Sequence, residues 1–243
     1  MAIVNVKELL EAGVHFGSSA SLWHPKMKPY LFGKRNSIHI IDIKQTVRGL
    51  IQAYYYAAKL GKGNKVLLFV GTKRQAKEIV RDSARAIGMP YVAERWLGGT
   101  LTNFETVRAS IRRLDDIEKE MARPEYVRES KKVQARHGRE RRRILRNLEG
   151  VRTMNKVPDA LFIIDPKKEM SAVREAQRLN IPIIGLIDSD TDPELVNLPI
   201  PGNDDGIRSI QAVVKVLLEG YAKGRSEQNI KTEPPAAEVA KPA

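Results

Sequence analysis

Three uninterrupted apolar runs constrain the fold of this chain more than any other feature. They cover residues 66–70, 160–164 and 183–187, and none of them contains a charged side chain. A strand that is apolar at every position is typical of a parallel sheet whose two faces are both covered. The runs therefore predict a sheet that is buried between layers of helix.

Helical patterns alternate with these strands. Apolar residues recur with helical spacing over residues 45–60, 75–87, 170–179 and 206–221, and shorter strand patterns cover residues 38–41 and 91–94. Strands that alternate with helices of this length form βαβ units, whose crossovers are right-handed. We therefore predict an α/β protein with a Rossmann-like, doubly wound parallel sheet.

Residues 104–150 interrupt the alternation and predict an inserted α-helical hairpin. Apolar residues recur at steps of three and four from Phe104 to Met121, as in a coiled coil. Pro124 ends this helix, and a second helix is expected over residues 126–148. The segment has 14 Lys and Arg against 9 Asp and Glu, a net charge of +5. We expect its base to pack on the domain and its tip to lie in solvent.

The predicted organisation has three parts. Residues 1–36 form an N-terminal helix, over residues 6–12, and an irregular arm rich in basic and aromatic side chains. Residues 37–225 form the α/β domain with the hairpin insertion at 104–150. Residues 226–243 carry prolines and scattered charges, which are typical of a disordered tail.

The charge balance indicates the class of partner. The 243 residues include 42 Lys and Arg against 29 Asp and Glu, a net charge of +13, which attracts polyanions. Binding to an anionic membrane would require a basic amphipathic helix or a long apolar span, and the sequence shows neither. We therefore expect a nucleic acid as the partner and no membrane. The chain has no cysteine, which suits a cytoplasmic protein.

Sequence motifs for catalysis are missing. No glycine-rich phosphate loop follows a strand, and there is no Gly-x-Ser-x-Gly elbow and no cysteine nucleophile. We therefore expect no catalytic residue and no cofactor. The alternative is a nucleotide- or sugar-phosphate-binding enzyme that holds Mg²⁺ at aspartates near the strand ends, chiefly Asp188, Asp204 and Asp205. If the chain is not such an enzyme, these aspartates are helix-capping and turn residues.

Three segments combine cations with aromatic or glycine residues and are candidate nucleic-acid contacts. The candidates are Trp23, Lys26, Lys28 and Arg35 in the arm, Lys73 and Arg74 after a strand, and Arg95, Trp96 and Asn103 in a segment with two glycines. A helix N-terminus that follows a strand attracts phosphate, and interleaved aromatic and basic residues suit base stacking and phosphate contact. The alternative for any one of them is a solvated surface. A DNA-binding protein is a further alternative, but no helix-turn-helix pattern is evident.

Six short blocks of sequence are distinctive. They are GVHFG at 13–17, WHPKM at 23–27, FVGTKR at 69–74, RWLGGTLTN at 95–103, PDALFIID at 158–165 and IPGNDD at 200–205. In this order they resemble the bacterial small-subunit ribosomal protein S2 family. The likeness extends over about residues 1–225, and so many blocks in register do not arise by chance.

The resemblance implies a flavodoxin-like parallel sheet with an inserted helical hairpin. It also implies a structural, non-catalytic protein of the small ribosomal subunit in the cytoplasm, where it acts in translation. Such a protein binds small-subunit ribosomal RNA and helps to dock neighbouring ribosomal proteins, notably S1, the large protein that captures messenger RNA. We expect a chain that is not a homo-oligomer.

Two departures from the family pattern lie in the arm. The family usually has a histidine at the position of Ser18, and basic residues at the positions of Ala20, Ser21 and Leu22. In some members, the resemblance implies, a metal lies near that histidine and the equivalents of the three aspartates named above. Because the histidine is missing, we expect no metal in this chain and no strong RNA contact by residues 19–22.

Overall fold

Eight strands and seven α-helices make up the computed structural model, which describes residues 4–232 and the side chains of residues 4–228. The strands are β1 Phe16–Ser19, β2 Leu31–Arg35, β3 Ile38–Ile41, β4 Leu67–Val70, β5 Tyr91–Val92, β6 Ala160–Ile164, β7 Ile183–Ile187 and β8 Leu198–Pro201. The helices are α1 Val6–Glu11, α2 Ile43–Lys62, α3 Lys77–Ala86, α4 Phe104–Met121, α5 Lys131–Leu148, α6 Met170–Arg178 and α7 Ile207–Thr232.

A five-stranded parallel sheet forms the centre of the molecule. Its strand order is β5-β4-β6-β7-β8, and every neighbouring pair is parallel. Numbered along the sheet's own strands this order is 2-1-3-4-5, the order of flavodoxin-like doubly wound folds. Strands β4, β6 and β7 are buried at every residue. The predicted α/β, Rossmann-like fold is therefore confirmed.

Helices cover both faces of this sheet. Neighbouring side chains of β4 lie on opposite faces of the sheet. Phe69 belongs to the apolar layer that includes α2, α3 and α7, and Leu68 belongs to the layer that includes α4, α5 and α6. Helices α2 and α7 approach so closely that a Cβ at Gly61 or Gly224 would meet the backbone of the other helix. Among the described residues, no helix is both long enough and apolar enough to cross a membrane.

A second, three-stranded antiparallel sheet occupies much of the region predicted to be irregular. Its order is β1-β3-β2, so the strand predicted at residues 38–41 lies here and not beside the parallel strands. A 3-10 helix, Pro25–Tyr30, separates β1 from β2. The prediction of an irregular arm was wrong because four- and five-residue strands with shifts in register show no clear alternation.

The edge strand β8 has no counterpart among the predicted strands. Its sequence is Leu-Pro-Ile-Pro, and each proline removes a backbone donor, which argues against a strand within a sheet. An edge strand tolerates the loss because only one of its sides is paired.

The last helix, α7, continues to Thr232 instead of ending at residue 221. The predicted disorder is therefore wrong for residues 226–232, and residues 233–243 lie outside the described residues.

Helices α4 and α5 lie between β5 and β6 in the sequence and pack against each other. Arg113 of α4 pairs with Glu140 of α5 at 3.2 Å, and Arg141 pairs with Glu118 at 2.9 Å. The second helix begins at residue 131 and not at 126, because residues 124–128 form a 3-10 turn and Ser130 caps α5. The division of the chain into arm, domain, insertion and tail stays a prediction.

A buried carboxylate on α6 holds the connection between β5 and α4. Glu175 accepts hydrogen bonds from Trp96 Nε1 at 2.9 Å and from the backbone nitrogens of Gly99 at 2.9 Å, Leu101 at 3.0 Å and Thr102 at 3.1 Å. Burial opposes ionisation of Glu175, but these donors outweigh it and lower the pKa of its carboxyl. One side chain thereby fixes a loop that lacks regular structure.

Replacing Glu175 with glutamine should loosen this loop. The amide keeps the size of the side chain but loses the charge, and its NH₂ group faces other donors. We expect Glu175→Gln to lower the free energy of unfolding by about 1–3 kcal/mol, the range for a buried polar group left unsatisfied. Urea denaturation at about pH 7 measures the loss.

The loss should shrink in acid. Because the pKa of Glu175 is depressed by folding, its stabilisation is present above the unfolded pKa and disappears as the pH falls through the folded pKa. Glu219→Gln, at an exposed site on α7, is the matched control and should change stability by less than about 0.5 kcal/mol. A difference between Glu175→Gln and wild type that stays constant down to about pH 3 would contradict the role given to this carboxylate.

Candidate nucleic-acid interface

Lys73 lies at the carboxyl edge of the parallel sheet, where β4 ends. Its Nζ donates to Asp204 at 2.7 Å, to Asp165 at 2.8 Å and to Asp205 at 2.9 Å, and its side chain is only 14% exposed. We call these four residues with Asp188 the carboxyl-edge cluster. These contacts do not favour the predicted phosphate contact at Lys73, because its ammonium group is already enclosed by carboxylates, and that contact stays a prediction.

The charges of the carboxyl-edge cluster depend on one another. Burial disfavours the charged ammonium of Lys73, but Asp204, Asp165 and Asp205 outweigh it and raise its pKa. Burial also raises the pKa of Asp204 to about 8, and the nearby Asp165 carboxylate adds to the rise while Lys73 opposes it. One ammonium thus holds together a group of carboxyls that would otherwise repel one another.

The same cluster fails the test for a divalent cation. Asp188, Asp204 and Asp205 offer oxygen atoms within 4.8 Å of one another, as a hard cation requires. However, Lys73 already donates to two of these carboxylates, and the third accepts hydrogen bonds from the backbone nitrogen and the hydroxyl of Ser18. These residues therefore do not fit a metal ion.

The small antiparallel sheet docks on this edge through Ser18 and His24. The backbone nitrogen of Ser18 donates to Asp188 Oδ1 at 3.1 Å, and that of His24 donates to the Ser189 carbonyl at 2.8 Å. A Cβ at Gly17 would lie 2.9 Å from Ser189 Oγ, so the contact requires glycine. The arm is therefore attached to the sheet at the edge where doubly wound folds usually bind ligands.

Two other predicted contacts are engaged within the protein. Trp96 is buried and donates to Glu175, which favours packing behind the loop over stacking on RNA, the two roles predicted for it. Lys26 forms ion pairs with Asp192 at 3.0 Å and with Glu194. Its side chain stays partly exposed, but its charge is balanced.

The other predicted cations face solvent. Lys28, Arg35, Arg74 and Arg95 are exposed, and none of them forms an ion pair with the described part of the chain. We call these four residues the basic loops. Arg74 and Arg95 follow β4 and β5, whose carboxyl ends share one edge, and the arm that carries Lys28 and Arg35 docks on that edge.

The predicted aromatic and amide contacts are accessible in part. Trp23 is half-buried, with its ring 5.3 Å from that of His39. Asn103 is exposed, and its Oδ1 accepts from the Thr106 hydroxyl at 2.8 Å at the start of α4. Asn103 is therefore open to a partner, whereas Trp23 presents only the outer part of its ring.

The sequence predictions omitted a group of exposed apolar side chains on the arm. Phe32 is 80% exposed, and Phe16, Leu22 and Ile38 are also exposed. The pairing of Phe16 with Ile40, and of Ser19 with Ile38, places Phe16 and Ile38 on the same face of the small sheet. We call these four residues the apolar arm residues. Residues 12–41 contain four Lys and Arg and no acidic residue, which is a signal for a partner on the arm as a whole. Nothing in the sequence marks these apolar side chains as exposed.

Comparison with known proteins gives matches over most of the chain. The model of the ribosomal protein S2 family matches residues 9–224. The small ribosomal subunit protein uS2 of Rhodopirellula baltica is 51% identical over 236 residues, which span 97% of this chain and 91% of that protein.

Two other relatives carry the same description. The small ribosomal subunit protein uS2 of Thermus thermophilus is 49% identical over 222 residues, which span 91% of this chain and 87% of that protein. That of Coprothermobacter proteolyticus is 44% identical over 232 residues, which span 93% and 84%. The likeness therefore includes the parallel sheet, the arm and α4 with α5.

Removing the ammonium of Lys73 should destabilise the fold. We expect Lys73→Ala to lower the free energy of unfolding by about 3–5 kcal/mol, as when one partner of a buried ion pair is deleted. A carboxyl whose folded pKa is raised contributes stability below its unfolded pKa and loses it as the pH rises through the folded pKa. The loss should therefore be larger at about pH 9 than at about pH 5, measured by urea denaturation.

Arg74→Ala is the matched control for this experiment. Arg74 is the next residue, carries the same charge and is exposed without an ion pair to the described residues. Its loss should change stability by less than about 0.5 kcal/mol. Two variants of equal stability would show that Lys73 is not the cation that holds the carboxyl-edge cluster.

Proposed function

The chain belongs to the ribosomal protein S2 family, and we propose that it binds small-subunit ribosomal RNA through the basic loops and docks protein S1 through the apolar arm residues. As a member of this family it is a structural, non-enzymatic component of the small ribosomal subunit, present in the cytoplasm with the ribosome. The alternative of a free-standing Mg²⁺ enzyme is therefore set aside.

The observation that carries the RNA proposal is the contrast between two groups of cations at one edge of the sheet. Lys73 and Lys26 are ion-paired, whereas the basic loops are exposed and unpaired with the described residues. Unpaired Lys and Arg neutralise phosphates and release counterions, which provides most of the affinity for a polyanion. Arg adds bidentate hydrogen bonds to phosphate oxygens. Trp23 offers a partly open ring on the same arm as Lys28 and Arg35.

Removing cations of the basic loops should weaken RNA binding. We expect Arg35→Ala/Arg74→Ala/Arg95→Ala to lower the slope of log affinity against log salt concentration by about 2–3, since each phosphate contact contributes about 0.7–0.9. Filter binding of the purified protein to a small-subunit ribosomal RNA transcript measures the slope. Gradient sedimentation of cell lysates should show less of the variant in small-subunit particles.

Lys59→Ala/Lys62→Ala/Lys65→Ala is the matched control. It removes the same charge from exposed residues that precede β4, at the opposite edge of the sheet. It should keep the wild-type slope and incorporation. Equal losses in the two triple variants would refute a located RNA site, and a wild-type protein found only outside ribosomal particles would refute the function.

The apolar arm residues support the docking of a protein. Exposed apolar side chains gathered in one part of a fold mark surfaces that another protein covers, and these four belong to the small antiparallel sheet and the turn after β1. Their basic surroundings favour an acidic partner, because residues 12–41 contain no acidic residue. The resemblance to the family identifies S1 as the protein expected there.

Phe32→Ala/Ile38→Ala should weaken the binding of S1. We expect the affinity for purified S1 to fall about 10-fold or more, the equivalent of about 1.4 kcal/mol. Val127→Ala is the control, because Val127 is 82% exposed but lies in the turn between α4 and α5. Pull-down of S1 by the immobilised full chain measures the change. Unaltered capture by Phe32→Ala/Ile38→Ala would exclude this surface as the docking site.

A further inference from the structure

The junction between the two sheets is closed by the chain's own polar atoms. Its residues are Ser18 and His24 on the arm and Asp188 and Ser189 after β7, which we call the arm junction. The backbone nitrogen of Ser18 donates to Ser189 Oγ at 2.9 Å as well as to Asp188 Oδ1, and the Ser18 hydroxyl donates to Asp188 Oδ2. Both oxygens of Asp188 therefore have a donor from one residue of the arm.

Asp188 depends on the hydroxyl of Ser18. The Asp188 carboxyl is only 3% exposed, and within the described part of the chain its Oδ2 accepts from the Ser18 hydroxyl alone. Burial raises the pKa of Asp188, and the hydrogen bond from Ser18 opposes that rise. The hydroxyl therefore stabilises a buried carboxylate across the junction.

Two apolar residues anchor the same region. Val14 and Met27 are completely buried. Val14 belongs to the apolar layer that includes α2, α3 and α7, and Met27 belongs to the layer that includes α4, α5 and α6. The backbone nitrogen of Asn203 also donates to the Val14 carbonyl at 2.9 Å. The arm is thus fastened to both layers of the domain around the arm junction.

Ser18 stands where the family usually has a histidine, beside which the resemblance implies a metal in some members. An ion that joins two ligands lies between them, at about 2.0–2.2 Å from each oxygen in a zinc site. The Ser18 hydroxyl is instead in direct hydrogen-bond contact with Asp188. The ammonium of Lys73 is in the same kind of contact with Asp204 and Asp205. A hydroxyl and an ammonium group therefore occupy the carboxylates that an ion would need.

We propose that the arm junction is a metal-free lock, in which Ser18 and Lys73 take the place of the ion that the resemblance implies for members with the histidine. Ser18 joins the arm to the segment after β7, and Lys73 joins the segments after β4, β6 and β8. The proposal rests on the proposed function in one respect, because the lock holds in place the apolar arm residues to which S1 is expected to bind. That docking surface then needs no metal ion.

A hydrogen-bonded lock and a metal site respond differently to a chelator. The free energy of binding an ion is part of the stability of a metal site, so such a site loosens when the ion is removed. A junction closed by hydrogen bonds does not respond to a chelator, but it depends on the hydroxyl that donates. The two kinds of junction can therefore be told apart by amide hydrogen exchange of the arm.

Removing the hydroxyl should loosen the arm and leave the parallel sheet intact. We expect Ser18→Ala to speed amide hydrogen exchange over residues 16–41 of the full chain about 10-fold, as for a lost hydrogen bond to a charged group. Exchange of β4, β6 and β7 should keep the wild-type rate, which shows that the variant is folded. Ser19→Ala is the matched control, because Ser19 is exposed and its hydroxyl contacts only that of Ser21 among the described residues.

Metal ions should have no effect on the lock. We expect the wild-type chain, dialysed against Zn²⁺ and then against buffer, to retain no stoichiometric ion by mass spectrometry. Exchange over residues 16–41 should be the same in EDTA and in Zn²⁺. Capture of purified S1 by the immobilised full chain should also be the same in both solutions.

The opposite results would overturn the proposal. A stoichiometric ion whose removal by EDTA speeds exchange of the arm would show a metal junction. Wild-type exchange in Ser18→Ala would show that Ser18 is not part of the lock. If S1 binds neither in EDTA nor in Zn²⁺, the docking part of the proposed function fails, whereas unchanged exchange of the arm in the two solutions still supports the lock.

Discussion

The ammonium group of Lys73, held by Asp165, Asp204 and Asp205, is the interaction on which the arrangement of the carboxyl edge depends. A doubly wound sheet leaves a crevice where its strand order reverses, here between β4 and β6, and related folds bind ligands in it. In this protein Lys73 joins the segments that follow β4, β6 and β8 across that crevice. The place where an enzyme of this fold would bind its substrate is therefore part of the internal structure.

This internal pairing decides which cations are left for a partner. Lys73 and Lys26 neutralise carboxylates of the same chain, and Glu175 holds Trp96 inside. Arg74 and Arg95, which follow β4 and β5 at the same edge, are exposed and have no ion pair with the described residues. Exposed cations without an internal partner at this edge suit a protein that is built into an RNA particle.

The sequence predicts the parallel sheet well and the site less well, for physical reasons. Strands β4, β6 and β7 are apolar throughout because both of their faces are buried, so local sequence is sufficient to find them. Strand β8 contains two prolines, and its register is determined by β7, which a local pattern does not show. The strands of the arm are short and are formed by pairing with β3.

A local sequence pattern also does not show that Lys73 and Arg74 have different roles. The two residues are adjacent and carry the same charge, but the carboxylates that enclose Lys73 lie 92 to 132 residues away along the chain. Only the folded sheet brings them together. A motif can therefore locate a basic segment, whereas its burial and partners decide which of its side chains is free.

The prolines of β8 have a consequence for the chain before it is assembled. An exposed sheet edge offers backbone donors to any other extended chain and is a common starting point for aggregation. Pro199 and Pro201 have no N–H, so this edge of the parallel sheet presents few donors to an incoming strand. A ribosomal protein is synthesised away from the RNA that it will join, and it must pass that interval without pairing with copies of itself. The residues that obscure β8 in the sequence therefore also make this edge a poor partner for a strand of a second copy.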